Sequence, residues 1–384
     1  MLPLSGIRVV EFCQVAAGPF CGMLLADMGA DVIKVESPDG GDGLRQWPPF
    51  TGGFSENFAS INRNKRSVAL NLKDEAQREA ARRLALSADV VVENFRPGVL
   101  AKLGLGYDAL AREKPSLVYC SISAFGQSGP RSQEGGFDLT VQAIGGVMSV
   151  TGDPGGPPVK CGVPLADFGA GLYGAYAISC ALHVVRRDGK GQHIDVSMLG
   201  ATLGMAALQT SEYFGTGRDP VKLGSAHPRN APYQAFRAKD GYFAMAAGND
   251  RLWKSVCRIV GKEALEKDER FSTTLQRAKN QGELREILEK SFAGRPVGDW
   301  LKEFADAGVP CAPINSYSQA LADPQVEHMG WVQPVELPGG ARTRTFVSPL
   351  RTSGQRFGIT RRPPALGEHT DEVLAQLGKG DASR

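Results

Sequence analysis

The stretch GGFDLTVQAIGG, Gly135 to Gly146, sets one acid, Asp138, at the head of a run that is largely apolar or small. A carboxylate there has two readings. As a helix N-cap it accepts a backbone N–H while Leu139 to Met148 open the helix. As a nucleophile or base it needs a cramped, poorly solvated place, with glycines that let backbone approach a ligand closely. Both can hold at once.

Other stretches could serve such a site. AAGPF (Ala16–Phe20) follows a strand-like segment and opens a helix with small residues, suited to close approach of a phosphate or adenine. NRNKRSVALNLK carries Arg63, Lys65, Arg66 and Lys73, enough charge for one phosphorylated small molecule. ENFRPG (Glu93–Gly98) ends a strand at the carboxyl edge, where open α/β sheets bind ligands. AAGND (Ala246–Asp250) is a second small-residue turn, and His227 lies in the turn-rich GSAHPRN. Together they suggest a long phosphorylated ligand whose reactive end lies near Asp138.

Competing motifs fail their context tests. GAGLYG (Gly169–Gly174) matches the dinucleotide fingerprint, but KCGVPLADF precedes it with Pro164 and Asp167 instead of an apolar strand. Small residues lining a close helix–helix contact explain these glycines. Ser128 in GQSGP lacks the spacing of a nucleophile elbow. No Walker lysine, HExxH or CxxC is present, and the five histidines are isolated, so no metal site is expected.

These residues need elements to hold them. Val- and Ile-rich segments (Ile7–Phe12, Ala30–Glu36, Arg66–Leu72, Asp89–Phe95, Leu117–Gly126) alternate with helical patterns such as DEAQREAARRLALSA. That alternation predicts a mostly parallel sheet covered on both faces. After Ala201 the texture changes to a hairpin over Tyr233–Asp250, charged helices, and a β-rich stretch leading to RRPPALGEHTDEVLAQLG. The expected organisation is α/β: residues 1–200 a large Rossmann-like domain, 201–222 a linker, 223–322 a smaller α+β domain. Residues 323–384 are expected to return and complete the large one.

Composition narrows the class. A chain of 384 residues exceeds one typical core, and 44 basic against 41 acidic residues leave +3, too little for nucleic acid as a default partner. Seven scattered cysteines read as reduced thiols, and Phe168–Val185 reads as a helix packed inside protein and not as a membrane span. With no leader-like start, a cytoplasmic protein is expected.

The stretches FCQVAAGPF, GADVIKVE, NRNKRSVALNLK, VENFRPGVLAKLGLGYDAL, GGFDLTVQAIGG and PPALGEHTDEVL, in this order from Leu4 to Leu377, resemble the family III CoA-transferases. That family groups formyl-CoA transferase-like enzymes with α-methylacyl-CoA racemases. The resemblance implies an interlocked homodimer whose large domain is built from both chain ends. It implies acyl-CoA and a carboxylic acid as substrates, no tightly bound cofactor, and a catalytic aspartate, which the motif assigns to Asp138. The aspartate would form an acyl anhydride and then an aspartyl-CoA thioester. Matching CoA segments are Ala16, Ala17, Leu70, Asn71, Leu72, Lys73, Asn94, Phe95, Arg96, Lys102, Ser123, Ala124, Phe125 and Gly126. Ser37 stands where formyl-CoA transferase has arginine, so Arg63, Lys65 or Lys102 would supply the charge.

Gly135, Gly136 and Gly248 are the expected backbone donors or lid residues, with Asn249 beside them. Family racemases carry histidine before the aspartate, whereas this chain has Phe137, which cannot move a proton. Asp167 matches the other racemase acid and is assigned a structural or capping role. GSAHPRNAPYQAFRAKDGY and AAGND are similar to the succinyl-CoA–glutarate branch, with oxalate-type transfer and racemisation as alternatives. Arg229, His227 and Arg45 are the expected cations for a distal carboxylate.

Overall fold

Five of the Val- and Ile-rich stretches become parallel neighbours in one sheet. The computed structural model describes residues 1–379, in which the strands are β1 (Arg8–Phe12), β2 (Asp31–Glu36), β3 (Lys65–Ala69), β4 (Val90–Glu93), β5 (Val118–Ser123) and β6 (His193–Ser197). Their spatial order is β3-β2-β1-β4-β5-β6, and every pairing is parallel. Register sets Val9 beside Val32 and Val10 beside Val91. Side chains alternate between two buried faces, which is why the strands read as apolar runs. Val9, Val90, Val92 and Cys120 meet α1 (Ala17–Asp27) and α3 (Leu165–Asp188). Val10, Ile33, Val91 and Tyr119 meet Leu84 of helix Glu75–Ser87 and Leu110 of helix Tyr107–Glu113. Each such aliphatic side chain contributes roughly 1.5–3 kcal/mol by leaving water.

The GAGLYG glycines work in helix packing. A Cβ on Gly171 would stand 2.8 Å from the Ala17 carbonyl oxygen, and one on Gly174 would stand 3.2 Å from Cys21 Sγ. By length and composition α3 could cross a membrane. Its small-residue face lies against α1, while Leu172, Tyr173 and Tyr176 are exposed. Gly189, at φ 69°, ends the helix in the left-handed conformation that glycine adopts without strain.

The described chain divides into two units, one of 1–147, 160–218 and 324–379, the other of 148–159 and 219–323. The expected linker 201–222 is therefore displaced. Residues up to 218 form the end of α4 (Met198–Met205) and all of α5 (Ala207–Thr216) in the large unit. In that unit Asn64 Oδ1 accepts from the backbone of Thr360 (2.8 Å) and Arg361 (3.0 Å), and Arg66 pairs with Glu372 at 3.0 Å. Of the return segment, 380–384 lie outside the described residues.

The small unit carries an antiparallel sheet of β7 (Tyr233–Arg237), β8 (Tyr242–Ala246) and β9 (Cys311–Pro313), in the order β9-β8-β7. Its core is aromatic, with Phe236, Phe243, Phe292, Trp300 and Phe304 in contact.

Candidate active site

The order β3-β2-β1-β4-β5-β6 reverses between β1 and β4, because the chain leaves these neighbours toward opposite edges. Loops at such a reversal diverge and leave a crevice at the carboxyl ends of the strands. Here the crevice is a cleft of about 380 Å³, walled by Gln14–Ala17 after β1 and Asn94–Pro97 after β4. The two loops are clamped reciprocally. Gln14 N–H donates to Asn94 Oδ1 (2.9 Å), and Asn94 Nδ2 donates to the Gln14 carbonyl (2.8 Å). Ser123, Ala124, Gly135, Gly136, Phe137, Asp167 and Met198 are among the other wall residues. Gly136 is there for space: a Cβ on it would lie 2.6 Å from Ala124 Cβ.

Glu134 on this wall is paired with Arg131 at 2.7 Å, and two further carboxylates, Asp167 on the wall and Asp138 behind it, are in different states. Asp138 is the first residue of α2 (Asp138–Ile144), not its cap. It caps a different helix instead. Its Oδ1 accepts the Ala166 N–H at 3.0 Å, at the start of α3, and its Oδ2 accepts from Gln142 Nε2 at 2.8 Å. Gln142 is fully buried and its Oε1 accepts the Cys161 N–H at 2.9 Å, which fixes the amide. Asp167, in the first turn of α3, lines the cleft and makes no hydrogen bond or ion pair with the described residues. Burial first, and the Asp138 charge second, push its carboxyl up to about 6. The capping role expected for Asp167 thus belongs to Asp138, and of these two acids Asp167 is the one that lines the cleft. The physical reason is the i, i+4 link to Gln142, which turns Asp138 toward α3 and away from the cleft.

The expected CoA contacts separate into three groups. Ala16, Ala17, Asn94, Phe95, Arg96, Ser123 and Ala124 all line the cleft, and Gly126 donates its N–H to Ser123 Oγ at 3.1 Å. Phe125 lies under the Arg131 guanidinium, 4.6 Å from ring centre. Leu70–Lys73 follow β3 at the same sheet edge, with Leu70 buried in the core and Lys73 exposed, and Lys102 is exposed as well. Arg63 and Lys65 do not reach ligand space. Arg63 is buried on Asp27 (2.6 Å), and Lys65 is fully buried on Glu11 (2.8 Å) and the Pro19 carbonyl (2.8 Å). Both cations are held because their partners are buried and need them. Arg45 is likewise committed, to Glu36 at 2.7 Å and over the Phe58 ring at 3.7 Å. Arg96 is the cation of the cleft wall, and its guanidinium makes no ion pair with the described residues.

In the small unit, His227 Nδ1 accepts from the backbone N–H groups of Arg229 and Asn230, both at 3.1 Å. Asn249 caps helix Asp250–Ile259 through the Leu252 N–H (2.9 Å). A Cβ on Gly248 would stand 2.9 Å from Asn230 Cβ, so the two turns expected to serve the acid are neighbours. Within the stretches ENFRPG and GGFDLTVQAIGG, the side chains of Glu93 and Gln142 were not singled out. Glu93, buried at the end of β4, holds the Phe95 N–H at 2.9 Å, and burial pushes its carboxyl up to about 7. Spacing alone could have found Gln142, four residues after Asp138 on a helix.

A parallel α/β sheet with an unpaired acid in its switch-point cleft defines an enzyme site. The family model described as CoA-transferase family III matches residues 4–370, so this chain belongs to that family and is a CoA-transferase. It is 42% identical over 382 residues to the succinate–glutarate CoA-transferase of Agrobacterium fabrum, covering 98% of this chain and 96% of that protein. To the succinyl-CoA:glutarate CoA-transferase of Homo sapiens it is 38% identical over 380 residues, covering 99% and 87%. A crystal structure of a CAIB/BAIF family protein from Brucella suis is similar at TM-score 0.87 and 41% identity, covering 98% of this chain and 99% of that one.

Proposed function

We propose that the protein moves CoA from succinyl-CoA to a dicarboxylate such as glutarate, with Asp167 as the nucleophile. The observation that carries this reading is the half-buried, unpaired carboxylate of Asp167 on the wall of the switch-point cleft. Its ionised oxygen attacks the thioester carbonyl, the C–S bond breaks, and CoA leaves as thiolate. The product is a mixed anhydride of Asp167 and succinate. The thiolate then attacks the aspartyl carbonyl, succinate leaves as carboxylate, and an aspartyl-CoA thioester remains. The acceptor carboxylate attacks that thioester and the two steps run in reverse, freeing the Asp167 carboxylate. No net proton is consumed, and the exchanged bonds are of similar energy. What the protein must supply is orientation and exclusion of water, since either intermediate hydrolyses.

Asp138 and Gln142 support the nucleophile by holding the start of α3. The cation for an anionic group in the cleft is Arg96, and exposed Lys73 and Lys102 are left to meet CoA phosphates. We further propose that two copies interlock. The exposed Leu172, Tyr173 and Tyr176 of α3, with Leu208 and Phe214 of α5, form apolar surface of the kind a second copy covers. Seven free cysteines support a reducing, cytoplasmic setting. The test is incubation of purified protein with succinyl-CoA and a panel of mono- and dicarboxylic acids, followed by mass spectrometry of the CoA esters. Glutaryl-CoA as the dominant product is the expected result, and its absence while other acids react would remove glutarate.

A further inference from the structure

Val15 stands in the cleft wall with φ of +63°, in the left-handed region. A β-branched residue is strained there, and such strain persists only where surrounding groups impose it. Three holds act on it. Its N–H donates to Asp42 Oδ1 at 2.9 Å, and its side chain packs against the buried cluster of Met23, Leu44 and Phe58. The chain leading into it is pinned as well, because Lys34 Nζ donates to the Cys13 carbonyl at 2.7 Å and Asn94 grips Gln14 from both directions.

Asp42 is the joint between these holds. It is fully buried, and its Oδ1 accepts both Val15 and Leu44 N–H groups. Its own N–H donates to Glu36 Oε1 at 3.0 Å. Its second oxygen lies 2.8 Å from Lys34 Nζ, an ion pair with off-line hydrogen-bond geometry. Lys34 also faces the buried Glu11 at 3.4 Å, and buried charges of this kind stabilise little against apolar replacements, so what sets Asp42 apart is its hold on the Val15 and Leu44 N–H groups.

We propose that Asp42 is a positioning residue for CoA transfer: it holds Val15 in the left-handed conformation and so fixes Gln14–Ala17 across the cleft from Asp167. The inference rests on the reading of this cleft as the acyl-transfer site. Released from Asp42, Val15 relaxes toward negative φ, and the loop moves relative to the reacting atoms. A displacement of about 1 Å in a positioning element can cost on the order of a hundredfold in rate.

The test compares Asp42→Ala with Asp42→Ala/Val15→Gly in the exchange assay. The single variant should lose at least about tenfold in kcat, with a smaller change in KM for acyl-CoA. Glycine adopts φ of +63° unaided, so the double variant should recover several-fold of that loss. A purely structural role for Asp42 leaves Lys34 with Glu11 (3.4 Å) as its remaining ion-pair partner in both variants alike and gives equal kcat in both, which overturns the proposal. Val15→Pro serves where Asp42→Ala does not fold. It forbids positive φ and removes the N–H without touching the Asp42–Lys34 pair. A folded Val15→Pro enzyme with wild-type kcat overturns the proposal, and one with kcat lowered at least about tenfold bears it out. Asp167→Ala in the same assay reports on the cleft reading separately, since it must abolish exchange whatever Asp42 does.

Discussion

Asp138 reaches across to the N–H of Ala166 at 3.0 Å, one residue before Asp167, so one acid holds the turn that carries the other. The division of labour predicts unequal mutants. Asp167→Ala should lower CoA exchange by on the order of a thousandfold or more, as loss of a covalent nucleophile does, without lowering thermal stability. Asp138→Ala removes a helix cap and leaves the buried Gln142 amide without its acceptor, at a cost of about 1–3 kcal/mol. It should lower the melting temperature yet retain measurable exchange. Steady-state rates and melting curves on both variants decide the matter, and an inactive but fully stable Asp138→Ala would return the nucleophile to Asp138.

The pH profile offers an independent check on the same pair. The Asp167 carboxyl is raised from the ordinary 3.8 to about 6, by burial first and by the Asp138 charge second. Attack needs the ionised form, so kcat/KM should fall as pH drops through about 6. Asp138→Asn removes the like charge but not the burial. The acid limb should therefore move to lower pH, while staying above the ordinary aspartate range. Glu93, raised to about 7 by burial, titrates nearby, but its charge neighbour is Asp195. A limb that Asp138→Asn leaves unmoved belongs to Glu93.

Much of this geometry was legible in the residues. The runs around Val9, Val32, Val91 and Cys120 spell a doubly covered parallel sheet, because strands buried on both faces carry no polar alternation. Ala16, Ala17 and Asn94 were legible as edge residues because they lie at or just beyond the carboxyl ends of such runs. Charges were not. Lys65 and Arg63 sit in a basic cluster that looks solvent-facing, and their acids, Glu11 and Asp27, are 54 and 36 residues away. The roles of Asp138 and Asp167 were also hidden. Which acid faces the cleft depends on how α2 is turned against α3, and Gln142 fixes that turn through Cys161, 19 residues on.

Gly136 tests the space in front of Asp167. Its missing side chain lets the loop pass close to Ala124, since a Cβ there would lie 2.6 Å from that methyl. Gly136→Val must therefore push the loop off the end of β5 or into the cleft. Turnover should fall by on the order of a hundredfold, through lost attack geometry, with CoA affinity changed less. Titration calorimetry with CoA beside exchange kinetics separates the two effects. Equal losses in affinity and turnover would mean that Gly136 shapes the CoA site generally and not the attack.

The covalent route itself can be caught. Hydroxylamine attacks activated acyl groups and leaves ordinary carboxylates untouched, so turnover with succinyl-CoA in its presence should inactivate the enzyme. In the aspartyl-CoA thioester the C–S bond breaks, CoA leaves, and a hydroxamate forms on the aspartate. Trypsin then distinguishes the two acids. Cleavage after Arg131, Lys160 and Arg186 puts Asp138 in the peptide Ser132–Lys160 and Asp167 in the peptide Cys161–Arg186. The hydroxamate mass is expected on Cys161–Arg186 alone, and only when acyl-CoA is present. A label on Ser132–Lys160 would make Asp138 the nucleophile after all. An unmodified enzyme that keeps its activity would mean that the acids exchange CoA in a ternary complex, with Asp167 a charge at the cleft and not a covalent partner.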